Sequence, residues 1–274
     1  TSLEQTPESH LNKMTRWGYG PTDARYMFLR FSDHEEEHGL QIEHTLRSML
    51  GWQPTKVQTI LSSAERARGD LLASLVGLTD DDLDTVPVEP EGEWPLRRTL
   101  AHALATEHNY RVNTLYYVER YRNSEEHAEP PSRLEPDDFL ERSLVEFLTG
   151  LDTARNQSIA ELSVLHDSDL AAPAVWSEIE LDVNWRLMRF SHHEREHTAQ
   201  IRKWRVQTGK HPTDAQRLLG LAWQTHGVLR GYLVGVTDEL SARDPGDGEW
   251  SVNQTIDHMR EADGFFRRMI EEAK

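Results

Sequence analysis

The 274-residue sequence contains no cysteine. Disulfides, zinc–thiolate sites and a protein thiol nucleophile are thereby excluded. Any thiol chemistry would need a small-molecule thiol from outside the chain. Long hydrophobic runs are missing as well: no apolar stretch approaches the ~20 residues of a membrane helix, so no membrane partner is expected. Basic charge is scarce, with 30 Lys and Arg against 47 Asp and Glu and a net charge of −17. Such a chain is poorly equipped to displace phosphate counterions, which argues against a nucleic-acid partner. No signal-peptide pattern stands at the first residues. The cytoplasm is the expected location, and the opening Thr1 in place of Met leads us to expect a trimmed natural N-terminus. With 37% hydrophobic and 28% charged residues, the chain reads as globular rather than disordered.

What is present is a repeat. Residues 30–42 and 189–201 are identical at nine of thirteen positions without a gap. The match continues through Pro54-Thr55 and Pro212-Thr213, then Leu75-Val-Gly77 and Leu233-Val-Gly235. It ends at Gly92-Glu-Trp94 and Gly248-Glu-Trp250, followed by Thr-Leu-Ala-His102 and Thr-Ile-Asp-His258. The offset drifts only from 159 to 156. That is the pattern of an internal duplication.

The periodicity predicts helices over Ala24 to Leu50, Thr55 to Leu75, Asp182 to Thr208 and Thr213 to Leu233. A further helix is expected from about Asp137 to Leu165, and a shorter relative from about Glu4 to Trp17. Gly51 and Gly209 suit helix stops, Pro95 a first helical position, and Ser251 with Gln254 a capping box. No segment shows a period-two alternation that would announce a strand. Pro130-Pro131, within the polar stretch 123–136, marks the clearest linker.

His34 and His38 are four residues apart on a helix, as are His193 and His197. That spacing puts both imidazoles on one face, one turn apart, where they can take adjacent positions on one metal ion. A lone pair of this kind is usually solvated or hydrogen-bonded. Here three histidines recur in each copy, the third being His102 or His258. The others, His10, His44, His108, His127, His166, His211 and His226, do not recur, and His192 matches Asp33. Both pairs also fit the zinc-protease pattern H-E-x-x-H, with Glu35 and Glu194 as acid–base groups. Three features weigh against a protease: Gln41 replaces the turn-making Gly, Lys203 replaces a third His such as His44, and the helix pattern continues past Gln41 and Gln200. Trp94 and Trp250 are expected as core or staple residues rather than walls of a metal pocket. Arg30, Arg111, Arg189 and Arg267 recur, and ion pairs with the abundant acids are expected of them.

At Gly-Glu-Trp…Thr-Leu-Ala-His102, and at Phe-Ser-x-His-Glu-x-Glu-His-x-x-Gln-Ile over 31–42 and 190–201, the chain resembles the DinB-like superfamily. The resemblance implies an all-α fold of four-helix bundles, each holding a divalent metal by one His from helix 2 and two from helix 4. By position the ligands would be His102, His193 and His197 in one site, and His258, His34 and His38 in the other. It also implies thiol-dependent transferase or isomerase activity on a small-molecule substrate, since family members use mycothiol, bacillithiol or glutathione. The chain departs from the family order, reading 3-4-1-2-3-4-1-2. Either 1–122 and 137–274 form sequential units, or 54–209 forms one bundle and 1–53 closes a second with 210–274. A 20-residue helix is ~30 Å long. The linker 123–136 can span ~45 Å, whereas the residues around Gly51 to Pro54 span only ~15 Å. The short link suits a passage between bundles, which favours the interleaved arrangement; exchange of helices in a homodimer would satisfy the same lengths.

Three functions are thus expected in order: a thiol transferase with zinc, nickel or ferrous iron; a metal-binding protein without catalysis; and a hydrolase using Glu35 or Glu194 as base.

Overall fold

Caps and breakers in the sequence set the helix ends. A computed structural model of the chain describes residues 2–18, 20–87, 92–126, 130, 133–176 and 179–274. His127, Pro131 and part of the expected linker lie outside the described residues. The elements are α1 (Glu8–Leu11), β1 (Met14–Trp17), β2 (Gly20–Asp23), α2 (Ala24–His44), α3 (Lys56–Leu75), α4 (Leu96–Arg122) and α5 (Leu144–Leu162). They continue with β3 (Pro173–Trp176), β4 (Ile179–Asp182), α6 (Val183–Thr208), α7 (Asp214–Leu233), α8 (Asp238–Ala242) and α9 (Val252–Glu271). Among the described residues the fold is all-α apart from two short hairpins.

Thr55 and Thr213 open α3 and α7 with the same capping box, closed by Gln58 and Gln216; Ser251 and Gln254 do so at α9. Each box satisfies two backbone N–H groups that the first helical turn leaves unpaired. Gly209 ends α6 at φ +69°, a left-handed conformation that costs glycine nothing. Pro95 sits one residue earlier than expected, as the N-cap of α4.

Two expectations are corrected. Residues 4–17 do not form a helix: Ser2–Gln5 makes a 3-10 turn, α1 is a single turn, and 14–17 is a strand. Strands β1 and β3 pair antiparallel with β2 and β4, registering Met14 with Asp23 and Pro173 with Asp182. The sequence hid them because four-residue strands are too short to display alternation. Asp23 and Asp182 end the second strands and cap α2 and α6 through bonds to the amides of Tyr26 and Trp185. Each hairpin therefore fixes where a histidine helix begins.

Helix α4 packs on α5 and α6, and α3 on α6, enclosing Leu71, Leu100, Phe147, Leu151 and Ile201. Helix α2 packs on α7 and α9, enclosing Met27, Phe28, Ile42 and Phe266. Between these groups α3 crosses α7 at Gly69 and Gly227. A Cβ on Gly69 would lie 2.6 Å from the Trp223 carbonyl oxygen and 2.9 Å from the Gly227 Cα. The obstruction is backbone, so it cannot rotate away. Gly69→Ala is expected to cost about 1–3 kcal/mol by overpacking, read as a lower urea midpoint with an unchanged m-value.

Candidate metal centres

α6 carries His193 and His197 one turn apart, and α4 brings His102 from its second turn. The His193 Nε2 lies 3.0 Å from the Nε2 of His102 and 3.0 Å from that of His197. α2 and α9 build the same constellation: the His34 Nε2 lies 3.2 Å from that of His258 and 3.1 Å from that of His38. The structure therefore brings all six histidines into two groups of three.

The donors are prepared for a cation. Gln200 Oε1 accepts from Nδ1–H of His197 at 3.0 Å, and Gln41 Oε1 accepts from Nδ1–H of His38 at 2.8 Å. With the proton held at Nδ1, the lone pair is left on Nε2, and an outer partner of this kind is what metal-bound histidines use. Three nitrogens about 2.0–2.1 Å from one tetrahedral ion would stand ~3.3 Å apart, close to the spacing found. Burial, then the neighbouring imidazoles, lowers His193 to about 2 and His102 to about 4. His34 is brought to about 4 by burial and then by His38. These rings are neutral at pH 7, and no proton need leave before a metal binds. The residues fit a divalent ion of the zinc, nickel or ferrous class.

The depressed values carry a pH dependence. An unfolded histidine titrates near 6.5. Between that value and about 4 the unfolded chain binds protons that His34, His102 and His193 refuse in the folded state. Stability must therefore rise with pH across this window and fall as pH drops from about 6.5 toward 4. Urea midpoints of the chelated protein at pH 7, 6 and 5 are expected to decrease in that order, and His193→Ala to flatten the slope.

Trp94 and Trp250 are not the core residues expected. They are 37% and 39% exposed and lie against the imidazoles, Trp94 5.3 Å from His102 and Trp250 4.9 Å from His258. Trp94 lines the cavity that opens at its site. The recurrent arginines do form ion pairs. Arg189 binds Glu196 and Arg30 binds Glu37, holding those carboxyls below their usual range; Arg111 binds Glu161 and Arg267 binds Glu271.

The glutamates that follow His34 and His193 are engaged elsewhere. Glu194 bonds Arg68 and lies 3.1 Å from Arg155 of α5. Glu35 accepts from Thr225 and meets Nδ1 of His226 at 2.7 Å. Neither has an imidazole of its own motif as a hydrogen-bond partner among the described residues.

A cavity of about 650 Å³ opens at His102, His193 and His197. Its walls include Thr106, Asn109, Asn113, Trp176, Arg186 and Arg189. Sequence reasoning missed this lining. The signal available was faint: Thr106, Asn109 and Asn113 continue the face of His102 at spacings of four, three and four. At the matched positions of the other site stand Ala262, Phe265 and Met269, with Met27 for Arg186.

No curated protein and no solved structure matches the chain. The family model of the DinB superfamily matches residues 63–201, a span that holds most of α3, all of α4 and α5, and the histidines of α6. Helical architecture, histidine triad and matched span agree, and the chain belongs to the DinB superfamily.

Proposed function

We propose that the protein binds two divalent ions and uses the first, at His102, His193 and His197, in transferring a low-molecular-weight thiol to an electrophilic small molecule. The observation that supports this is the pairing of a three-histidine site with a roomy polar cavity. Three protein ligands are the number used where a coordination position is kept for substrate. When bound there, the metal would supply Lewis acidity that favours a thiolate at neutral pH, the nucleophile a Cys-free chain lacks.

The chain's own residues have separate tasks in this reading. Gln200 fixes the tautomer of His197. Trp94 and Trp176 wall the cavity against water. Asn113 offers its amide to a polar substrate, whereas the Asn109 amide is held by the backbone N–H and carbonyl of Leu134. Arg186 and Arg189 line the wall, Arg189 in a bidentate pair with Glu196 of the same wall, so the wall offers a substrate hydrogen bonding rather than net charge. Glu194 and Glu35 hold the helices together rather than moving protons.

The second site fits a different role. Its matched wall is apolar, and His34 and His38 of α2 meet His258 of α9. An ion there would tie those two helices. We read the chain as an internal duplication with 54–209 as one unit and 1–53 plus 210–274 as the other.

The test is a screen of chelated protein reloaded separately with zinc, nickel or ferrous iron, against low-molecular-weight thiols and electrophiles. Metal-dependent thiol consumption that Asn113→Leu weakens and Phe265→Leu leaves unchanged is expected. Full metal occupancy at the first site with no turnover for any thiol would sink the transferase reading and leave the non-catalytic one.

A further inference from the structure

Helices α7, α9 and α2 occupy the places that α3, α4 and α6 occupy in the other half of the repeat. Helix α5 has no counterpart among the described residues. Only its end does. Leu3 repeats Leu162, Leu11 repeats Leu170, and Met14 opens β1 as Pro173 opens β3, always 159 residues apart. The Glu4 carbonyl accepts from Gln216 Nε2 at 3.1 Å, just as the Ser163 carbonyl accepts from Gln58 Nε2 at 3.2 Å. The chain thus enters at Ser2 where, in the other half, it leaves α5.

What α5 fills in the first half is a groove in the second. Its volume is about 500 Å³, and Phe31, Leu219, Ala222 and Trp223 give it apolar walls. Glu35 and Asp263 line the same groove. They stand at the places of Glu194 and Glu107, the two carboxylates that Arg155 of α5 reaches at 3.1 and 2.9 Å. His226 replaces Arg68 and meets Glu35. Nothing among the described residues replaces Arg155. Arg267, also on the groove, bonds Glu271 and the Ser2 hydroxyl. Burial, with the Glu35 charge behind it, pushes the Asp263 carboxyl up to about 6. Among the described residues these two acids therefore lack a counterpart of Arg155, Glu35 having His226 in place of Arg68.

We propose that this groove seats an amphipathic helix supplied by the polypeptide directly upstream of Thr1, whose arginine pairs with Glu35 and Asp263 as Arg155 pairs with Glu194 and Glu107. The source follows from continuity: a helix running into Ser2 lies along the groove as α5 lies along its own. The constant offset carries Arg155 to the fifth residue before Thr1.

A Cys-free chain allows a clean test. Ala222→Cys places a thiol in the groove, and Val145→Cys places one on exposed surface as a reference. Maleimide labelling is followed in the polypeptide with its natural upstream residues and in the protein beginning at Thr1. Residue 222 is expected to label at least about tenfold more slowly in the longer protein, with residue 145 unchanged and no dependence on protein concentration. The upstream sequence is expected to hold a helix-forming stretch with arginine on the inward face. Equal rates at residue 222 would overturn the proposal. So would protection that grows with concentration, which would mean a second copy in the groove, or an upstream sequence without such an arginine.

Discussion

Arg155→Met is expected to destabilise the protein by about 3–5 kcal/mol, the cost of leaving buried carboxylates without their cation. Arg155 is fully buried, and Glu65, Glu107 and Glu194 around it are almost so. Its guanidinium forks onto Glu107 with two bonds of 2.9 Å, and its other charge contacts are Glu194 and Glu65. Arg68 and Arg230 complete the cluster, so three arginines face three glutamates. Burial alone would raise the Glu107 carboxyl, but the charge and hydrogen bonds of Arg155 win and hold it below its usual range. Methionine keeps the length and apolar stem of arginine, so lost packing is small and the loss is electrostatic. A carboxyl of the variant then takes up a proton, and the gap to the parent protein should narrow as pH falls from 7 toward 5. Arg155→Met combined with Glu107→Gln should recover part of the loss, because the two changes share one interaction. Urea unfolding of the four proteins checks this. A loss under 1 kcal/mol, or strict additivity, would mean that the network is not what joins α5 to α3, α4 and α6.

That network explains how the sequence was legible at the histidines and opaque at Glu194. The motif H-E-x-x-H puts a glutamate beside a metal ligand, and in a zinc protease that glutamate is a base. Here α6 continues without a turn, so residues 193 and 197 share one face while 194 turns into the helix interface. Spacing gives the face of a side chain, but the partner comes from other helices. Arg68 lies 126 residues before Glu194 and Arg155 lies on α5, and no local pattern joins the three. The fourth position of each motif, Glu37 or Glu196, is the one held by an arginine seven residues upstream, a two-turn spacing that the sequence does display.

The helices themselves were legible because their caps are local. Thr55 with Gln58 and Ser251 with Gln254 declare helix starts within four residues. The hairpins were not legible, since β1 and β2 are held by pairing with each other rather than by an alternating face. The tryptophans misled for a related reason. A large aromatic ahead of a helix reads as a staple, yet Trp94 is turned toward His102, a neighbour eight residues on along α4. That α5 has no counterpart among the described residues was not legible, because a short apolar pattern over residues 3–11 resembles the end of a helix as much as a whole one.

His193→Ala is expected to reduce tightly bound metal from two ions per chain to one, lowering affinity at the altered site by more than the ~10–100-fold that loss of an outer hydrogen-bond partner costs. His193 is the middle ligand of its group, 3.0 Å from both His102 and His197, so its removal leaves two donors with no shared neighbour. The other site should be untouched, because His34, His38 and His258 come from α2 and α9. His34→Ala should give the mirror result. Metal in 1,000-fold excess over its dissociation constant stabilises a folded protein by about 4 kcal/mol per site. Each variant should lose that increment once, and the double variant twice. The metal-free proteins separate this from damage to the fold. Alanine removes a buried imidazole that stays neutral down to about pH 2, so the chelated His193→Ala protein should lose less stability between pH 6.5 and 4 than the chelated parent. Elemental analysis after dialysis against a weak chelator, paired with unfolding curves with and without metal, decides it. Retention of two ions by His193→Ala would show that the histidine group on α4 and α6 is not the ligand set.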